Sequence, residues 1–125
     1  MRRFTNSHEW IEIDGQDGIV GVTAYAQKEL GEIVFIELPE VGKTVAAGEE
    51  TVILESTKAA ADIYAPVSGV ITAVNHKVKE TPALLNQLPE SEGWIYKITL
   101  TNPEELSQLM SWNDYEKLIK DSLSP

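Results

Sequence analysis

The chain has 125 residues, a formal net charge of -10, 42% hydrophobic residues and no cysteine. This length fits one domain with a single modest core, which the scarcity of aromatic residues leaves to Val, Ile, Leu and Ala. The missing cysteine excludes disulfides, a thiolate zinc site and a cysteine nucleophile, so any redox chemistry must be borrowed from a cofactor. An acidic chain without Lys/Arg clusters is no match for nucleic acid or an anionic membrane surface. The same carboxylates fit two readings that composition does not separate, solubility alone or steering toward basic docking faces. No stretch is apolar enough for a membrane span, and the basic start at Met1–Asn6 lacks the apolar run of a signal peptide. The expectation is a cytoplasmic bacterial protein; a mature mitochondrial-matrix protein with its leader removed is the second reading.

Along the chain, polar and apolar residues alternate over Trp10–Ile13, and Ile19–Val22 follows after Asp14-Gly15 and Asp17-Gly18. This predicts a hairpin with tight turns at the glycines. Thr23 is placed to cap a short helix over Ala24–Leu30, with Gly31 just past its end. The nearly continuous apolar run Ile33–Leu38 predicts a buried strand. Thr51–Leu54, Asp62–Tyr64, Val70–Val74 and Trp94–Leu100 complete a set of short β segments punctuated by Pro39, Gly42 and Gly48. Short strands with frequent turn residues indicate a sandwich or barrel rather than a parallel α/β sheet. A weak echo relates Val45–Glu49 to Val78–Pro82 on either side of Lys58. Toward the end, Asn102-Pro103-Glu104-Glu105 reads as an N-cap, a first-turn proline and a capping-box acid. Leu106, Leu109 and Met110 follow at helical spacing. Ser111–Asp114 starts a second helix whose stripe of Tyr115, Leu118 and Ile119 packs on the β core. The prediction is one domain over 1–125 with a helical segment at about 103–121.

The segment that carries chemistry runs from Val52 to Gly69. An apolar strand enters a short polar turn holding Lys58, small residues follow at Ala59, Ala60 and Ala61, and a second strand leaves. This puts an amine on a hairpin tip with open approach, the geometry an acylating enzyme needs, and gives an attached arm a fixed root. Most lysines are only solvated charges, so the wider context decides. The stretch Glu55-Ser56-Thr57-Lys58-Ala59 resembles the lipoylation motif of the glycine cleavage system H-protein family, Glu-Ser-Xaa-Lys-Ala. The resemblance extends through Ser7-His8-Glu9-Trp10, Gly21-Val22-Thr23, Tyr25-Ala26-Gln27, Leu30–Phe35, Glu37–Gly42, Ser68-Gly69, Val74-Asn75, Pro82, Leu85-Asn86, Gly93-Trp94 and Leu106. Two places depart from it. Thr57 stands where the family usually has an apolar residue. Leu88–Glu92 replaces an Asp-Pro followed by an aromatic residue and glycine, in a loop placed to line the site or a docking face.

The resemblance implies a mainly β fold, a lipoyl/biotinyl-type flattened β-barrel sandwich of the hybrid-motif kind. It has a short helix near the N-terminal third and C-terminal helices. It implies a non-catalytic carrier with lipoic acid bound covalently to Lys58 as N6-lipoyllysine. The implied arm accepts an aminomethyl group from the pyridoxal-phosphate glycine decarboxylase (P-protein). It delivers that group to the aminomethyltransferase (T-protein) and is reoxidised by dihydrolipoyl dehydrogenase (L-protein); a lipoate ligase or lipoyl transferase attaches it. Glu9 and Asp62 match the positions that line the cleft where the family's arm rests, and a carboxylate there suits a cationic amine. A monomer is expected.

Other readings carry less. Biotin carriers place Met on both sides of the lysine, whereas Thr57 and Ala59 stand here. Lipoyl domains of 2-oxoacid dehydrogenases usually have Asp before Lys-Ala. A lipoyl donor in protein lipoylation would share the same modified lysine and stays open as the alternative. Ser7, His8 and Glu9, read as neighbours on one strand, alternate faces and form no relay. His8 and His76 are too few for a metal site. The glycines match no phosphate loop, and Trp10, Trp94 and Trp112 are assigned to core or helix packing.

Overall fold

The computed structural model describes residues 1–123. Nine strands are β1 (Arg2–Phe4), β2 (Glu9–Asp14), β3 (Asp17–Val22), β4 (Ile33–Glu37), β5 (Thr44–Val45), β6 (Glu50–Ser56), β7 (Ala60–Tyr64), β8 (Gly69–Val74) and β9 (Tyr96–Leu100). They form two antiparallel sheets, one in the order β1-β2-β3-β9-β8-β5 and one in the order β4-β6-β7, with no closed barrel among the described residues. Four helices are α1 (Ala24–Leu30), α2 (His76–Glu80), α3 (Leu84–Gln87) and α4 (Trp112–Leu123).

One apolar cluster lies between the sheets and joins Ile11, Val20, Ile71 and Ile98 of the larger to Ile36, Val52, Leu54 and Ile63 of the smaller. A second, of Phe4, Trp10 and Tyr115, seats α4 on the other face of the larger sheet. Trp10 and Ile11 are both buried because successive side chains of β2 point to opposite faces and each face is covered.

The hairpin of β2 and β3 forms as predicted, with its turn at Gly15 (φ 64°). Gly18 is not a turn residue. It lies in β3, where a Cβ would meet the Ile11 side chain at 2.7 Å, so packing rather than backbone conformation requires it. Helix α1 has the expected ends: the Thr23 side chain accepts from the Ala26 N–H, and the Gly31 N–H (φ 81°) closes on the Gln27 carbonyl.

Strand β4 departs from the prediction of a buried run. A bulge between Ile33 and Phe35 shifts the register against β6, so that Val34 and Phe35 are both exposed, at 51% and 47%. The echo around Lys58 has no structural counterpart. Val45–Glu49 ends a strand and turns, whereas Val78–Glu80 belongs to α2. The short elements β1, β5, α2 and α3 were not read from the sequence.

The C-terminal segment begins as a 3-10 helix over Pro103–Gln108, with no side-chain cap from Asn102. Glu105 serves a tertiary contact instead of a capping box, accepting from the backbone N–H of Ser68 (2.7 Å) and from its hydroxyl (2.8 Å). Helix α4 starts where expected, the Ser111 hydroxyl accepting from the Asp114 N–H. Trp10 is core and Trp94 half-buried, but Trp112 stays 47% exposed beside Phe4 and Tyr115. No helix of the described residues is long and apolar enough to cross a membrane.

Candidate functional site

Lys58 occupies the turn between β6 and β7, exposed as the sequence predicts. The turn is tied by one side chain. The Ser56 hydroxyl accepts from the N–H groups of Lys58 and Ala59, each at 3.1 Å, and donates to the Ala59 carbonyl at 3.1 Å. A serine two residues before the lysine thus does for this turn what a hydroxyl cap does for a helix. A backbone bond from the Thr57 N–H to the Glu32 carbonyl (3.0 Å) anchors the tip to the bend between α1 and β4.

Gly31 sits at that bend. A Cβ there would lie 3.2 Å from Lys58 Cε, so the absence of a side chain leaves the lysine stem its place. Asn86 holds the bend from behind. Its Oδ1 accepts from the Ile33 N–H (2.9 Å), and its Nδ2 donates to the Gly31 carbonyl (2.7 Å) and to Gln27 Oε1 (3.1 Å).

Glu9 and Asp62 differ in setting. Glu9 is 1% exposed. One carboxylate oxygen accepts from the hydroxyls of Thr5 and Ser7 (2.7 Å for the latter), and the other accepts from the Tyr64 N–H at 3.3 Å. A buried carboxylate needs such donors. Glu9 thereby links the larger sheet to β7 of the smaller one. It also lines a cavity of about 380 Å³ together with Ser7, Tyr64, Pro66 and Met110. Asp62 is exposed on β7, and no hydrogen bond or ion pair joins it to Glu9 or to Lys58 among the described residues.

One geometric relation connects the three. Ala60, Asp62 and Tyr64 are alternate residues of β7 and share a face, leading from the lysine turn to the strand end that meets Glu9. Sequence reasoning gives Thr5, Ser7, Tyr64 and Asn86 no role at the site, reads Gly31 only as the residue that ends α1, and reads Ser56 only as a member of the motif around Lys58. For Ser56 the signal was present: a hydroxyl residue two positions ahead of a turn residue is a recognised turn lock.

His8 does not join Glu9. It lies in the turn before β2, with φ 73°, rather than on a strand, and its Nδ1 is 2.8 Å from the Tyr115 hydroxyl. That hydroxyl is also 2.6 Å from Thr23 Oγ1. Burial lowers the His8 pKa, with the Glu9 and Glu29 carboxylates working against it. Burial raises the Tyr115 phenol to about 12. His8 is thus turned to Tyr115 rather than to Glu9, and not by the alternation of a strand, since it lies outside β2.

The atypical loop Leu88–Glu92 is built into the fold. Trp10 Nε1 donates to the carbonyls of Val22 and Pro89, each at 3.0 Å. The Glu90 carboxylate accepts from the Ala24 N–H at 2.8 Å, at the start of α1, and lies 3.6 Å from the Arg2 guanidinium. No residue of this loop lines the cavity at Glu9. No group of three or more His, Cys, Asp or Glu side chains is arranged to hold a metal among the described residues.

Two antiparallel sheets packed over one core, with short helices, make a β-sandwich of the lipoyl type. The chain matches the Glycine cleavage H-protein family over residues 2–122. It is 50% identical over 119 residues to the glycine cleavage system H protein of Carboxydothermus hydrogenoformans, covering 95% of this chain and 92% of that one. It is 48% identical over 120 residues to that of Methylacidiphilum infernorum, covering 96% and 94%. The crystal structure of a glycine cleavage system H protein from Mycobacterium marinum superposes with a TM-score of 0.85 at 38% identity, covering 93% of this chain and 94% of that one. The chain belongs to the glycine cleavage H-protein family, and as such is a carrier component of that system rather than one of its enzymes.

Proposed function

We propose that Lys58 carries the lipoyl group, and that the arm takes an aminomethyl group at glycine decarboxylase, yields it at the aminomethyltransferase and is reoxidised at dihydrolipoyl dehydrogenase. The group supplies a disulfide that is reduced as it accepts the one-carbon unit. This chain supplies position. The observation that carries the reading is the Ser56-locked turn, which holds Lys58 exposed with its stem over Gly31. A fixed root with a mobile arm keeps the reacting end at high effective concentration near each enzyme.

Glu9 and Asp62 serve the same function between stations. The face of Ala60, Asp62 and Tyr64 spans about 13 Å at the usual strand rise, a track suited to an extended lysyl-octanoyl arm. Asp62 borders the track and Glu9 stands at its end, with two hydroxyls and an amide already fixing the carboxylate. A cationic amine brought there meets a negative charge in a partly enclosed site, where such pairing is stronger than on an open surface.

The place of action on this reading is the bacterial cytoplasm, as a monomer, after a lipoate ligase or lipoyl transferase has modified the chain. The test is reconstitution. Lipoylated protein with glycine decarboxylase should support glycine-dependent exchange of carbon dioxide, and addition of the aminomethyltransferase with tetrahydrofolate should release ammonia. Intact mass should show one lipoyl increment, lost in Lys58→Arg. An increment surviving that substitution sinks the site. A lipoylated chain inert with competent enzymes points instead to a lipoyl donor.

A further inference from the structure

We infer that the bulged edge strand β4 is the docking face for the enzyme that attaches the lipoyl group, with Val34 and Phe35 seated in an apolar depression of that enzyme and Glu32 and Glu37 against basic residues at its rim. The inference rests on the reading of Lys58 as the lipoylated residue.

Three observations converge on β4. First, two adjacent residues of one strand are exposed together, Val34 at 51% and Phe35 at 47%, in a sheet whose alternation should hide one of them. The bulge between Ile33 and Phe35 is responsible. Bulges re-aim side chains at functional edges, and exposed aromatic and β-branched pairs on an edge are a liability that a partner relieves.

Second, the pair adjoins the lysine. Ile33 is opposite Ser56 and Phe35 opposite Glu55, the two residues that lead into the turn, and the Thr57 N–H is bonded to the Glu32 carbonyl. Phe35 continues across the same outer face toward half-buried Ile53, which pairs with Glu37.

Third, exposed carboxylates stand at both ends of the pair. Glu32 precedes it and Glu37 follows it, and neither is in an ion pair among the described residues. An apolar centre between unpaired charges of one sign is the pattern of an interface with an oppositely charged rim.

The choice of occupant follows from reach. Enzymes that use the finished arm meet its far end, so their surfaces can stand off from the lysine by the length of that arm. The attaching enzyme has no arm to reach along. It must bring the carbonyl carbon of an activated lipoyl group, a lipoyl adenylate in which the carboxyl is joined to phosphate as a mixed anhydride, to Lys58 Nζ itself. There the amide bond forms, the carbon–oxygen bond to the adenylate breaks, and the amine gives up a proton. Its surface must therefore cover the shoulder of the hairpin, and β4 is that shoulder.

The experiment uses the full apo chain and a lipoate ligase supplied with lipoate and ATP, with product followed by intact mass. Phe35→Ser and Val34→Thr remove apolar surface from exposed positions and Glu37→Lys reverses one rim charge; urea midpoints establish that each variant folds. We expect Phe35→Ser to raise the KM for the chain about tenfold, as for loss of one interface aromatic, with kcat within about twofold. Phe35→Leu should recover most of the loss. Glu37→Lys should raise KM at low salt, and raised salt should erase the difference. Binding is read separately with Lys58→Arg, which cannot be acylated, against ligase holding a non-transferable adenylate analogue; adding Phe35→Ser should weaken it equally.

Wild-type KM and binding for folded Phe35→Ser and Glu37→Lys would overturn the docking face while leaving the lipoylated lysine intact. So would unchanged ligation combined with weaker binding of the lipoylated variants to glycine decarboxylase, which would assign the face to that enzyme. Failure of the wild-type chain to gain any lipoyl increment would instead remove the reading of Lys58 on which the inference stands.

Discussion

Lys58 runs its stem over Gly31: a Cβ at Gly31 would stand 3.2 Å from Lys58 Cε and 3.7 Å from Nζ. The glycine is doubly constrained, because its φ of 81° and ψ of -153° fall where residues with a Cβ are strained. Gly31→Ala should therefore cost on the order of 1–3 kcal/mol from backbone strain, and should also displace the amine. Urea unfolding reads the first effect, and the initial rate of lipoylation by intact mass reads the second. Wild-type values in both would show that neither constraint matters.

Ser56 accounts for three of the hydrogen bonds that define the lysine turn. Ser56→Ala should leave the fold intact and cost about 1 kcal/mol, as loss of a helix-capping hydroxyl does. The amides of Lys58 and Ala59 should lose protection, since no other hydrogen-bond acceptor is seen for them among the described residues. Faster hydrogen exchange confined to these two positions, with a lower kcat/KM for lipoylation, is the expected result; unchanged exchange would mean that the hydroxyl does not hold the turn.

How much of this was legible in the sequence depended on whether the signal was local. Thr23, Gly31 and the Asp14–Asp17 turn were readable because caps and turns satisfy backbone groups within a few residues. The exposed hairpin-tip position of Lys58 was readable because its turn is short and lies between two clear strand patterns. Glu105 was misread because a capping box and a tertiary contact to Ser68 demand the same residue type, and only the packing of the 3-10 helix decides between them. The burial of Glu9 was hidden for a similar reason. Ser7 is its neighbour in sequence, but the Tyr64 N–H is 55 positions away. Exposure of Val34 and Phe35 was not readable at all, because an apolar run looks the same with and without a bulge.

Glu9 and Asp62 make separable predictions. Glu9→Gln removes the charge and turns an NH₂ toward hydroxyl and amide donors, so it should cost about 1–3 kcal/mol for the mismatched buried group. Lipoylation at Lys58 should be untouched, while the aminomethyl-loaded chain should release its cargo faster in buffer. Asp62→Asn is exposed and should leave stability within about 0.5 kcal/mol while shortening the same lifetime. Loaded-state lifetimes by intact mass, with urea midpoints alongside, check both. Unchanged lifetimes in the two variants would rule out the proposed resting place.

His8 should give the fold a pH dependence whose sign follows from its burial. Its Nδ1 lies 2.8 Å from the Tyr115 hydroxyl, which lies 2.6 Å from Thr23 Oγ1, which accepts from the Ala26 N–H at 3.2 Å. With His8 neutral, every donor has an acceptor when the Thr23 hydroxyl donates to Tyr115 and the Tyr115 hydroxyl donates to His8. Protonation of Nδ1 removes that last acceptor and reverses the run that caps α1. Burial accordingly lowers the folded-state pKa below the ordinary 6.5. Between the two values the unfolded chain binds more protons, so stability rises with pH across that window. The contribution is complete above the unfolded pKa and is lost as pH falls toward the folded one. Glu12 is separate: its carboxyl is lowered by the N-terminal ammonium, so its contribution is lost only in the more acid range of carboxylates. Urea midpoints should thus fall from about pH 7.5 to about pH 5. His8→Asn, which tolerates the φ of 73°, should flatten that fall. A slope unchanged in His8→Asn would place the titrating group elsewhere.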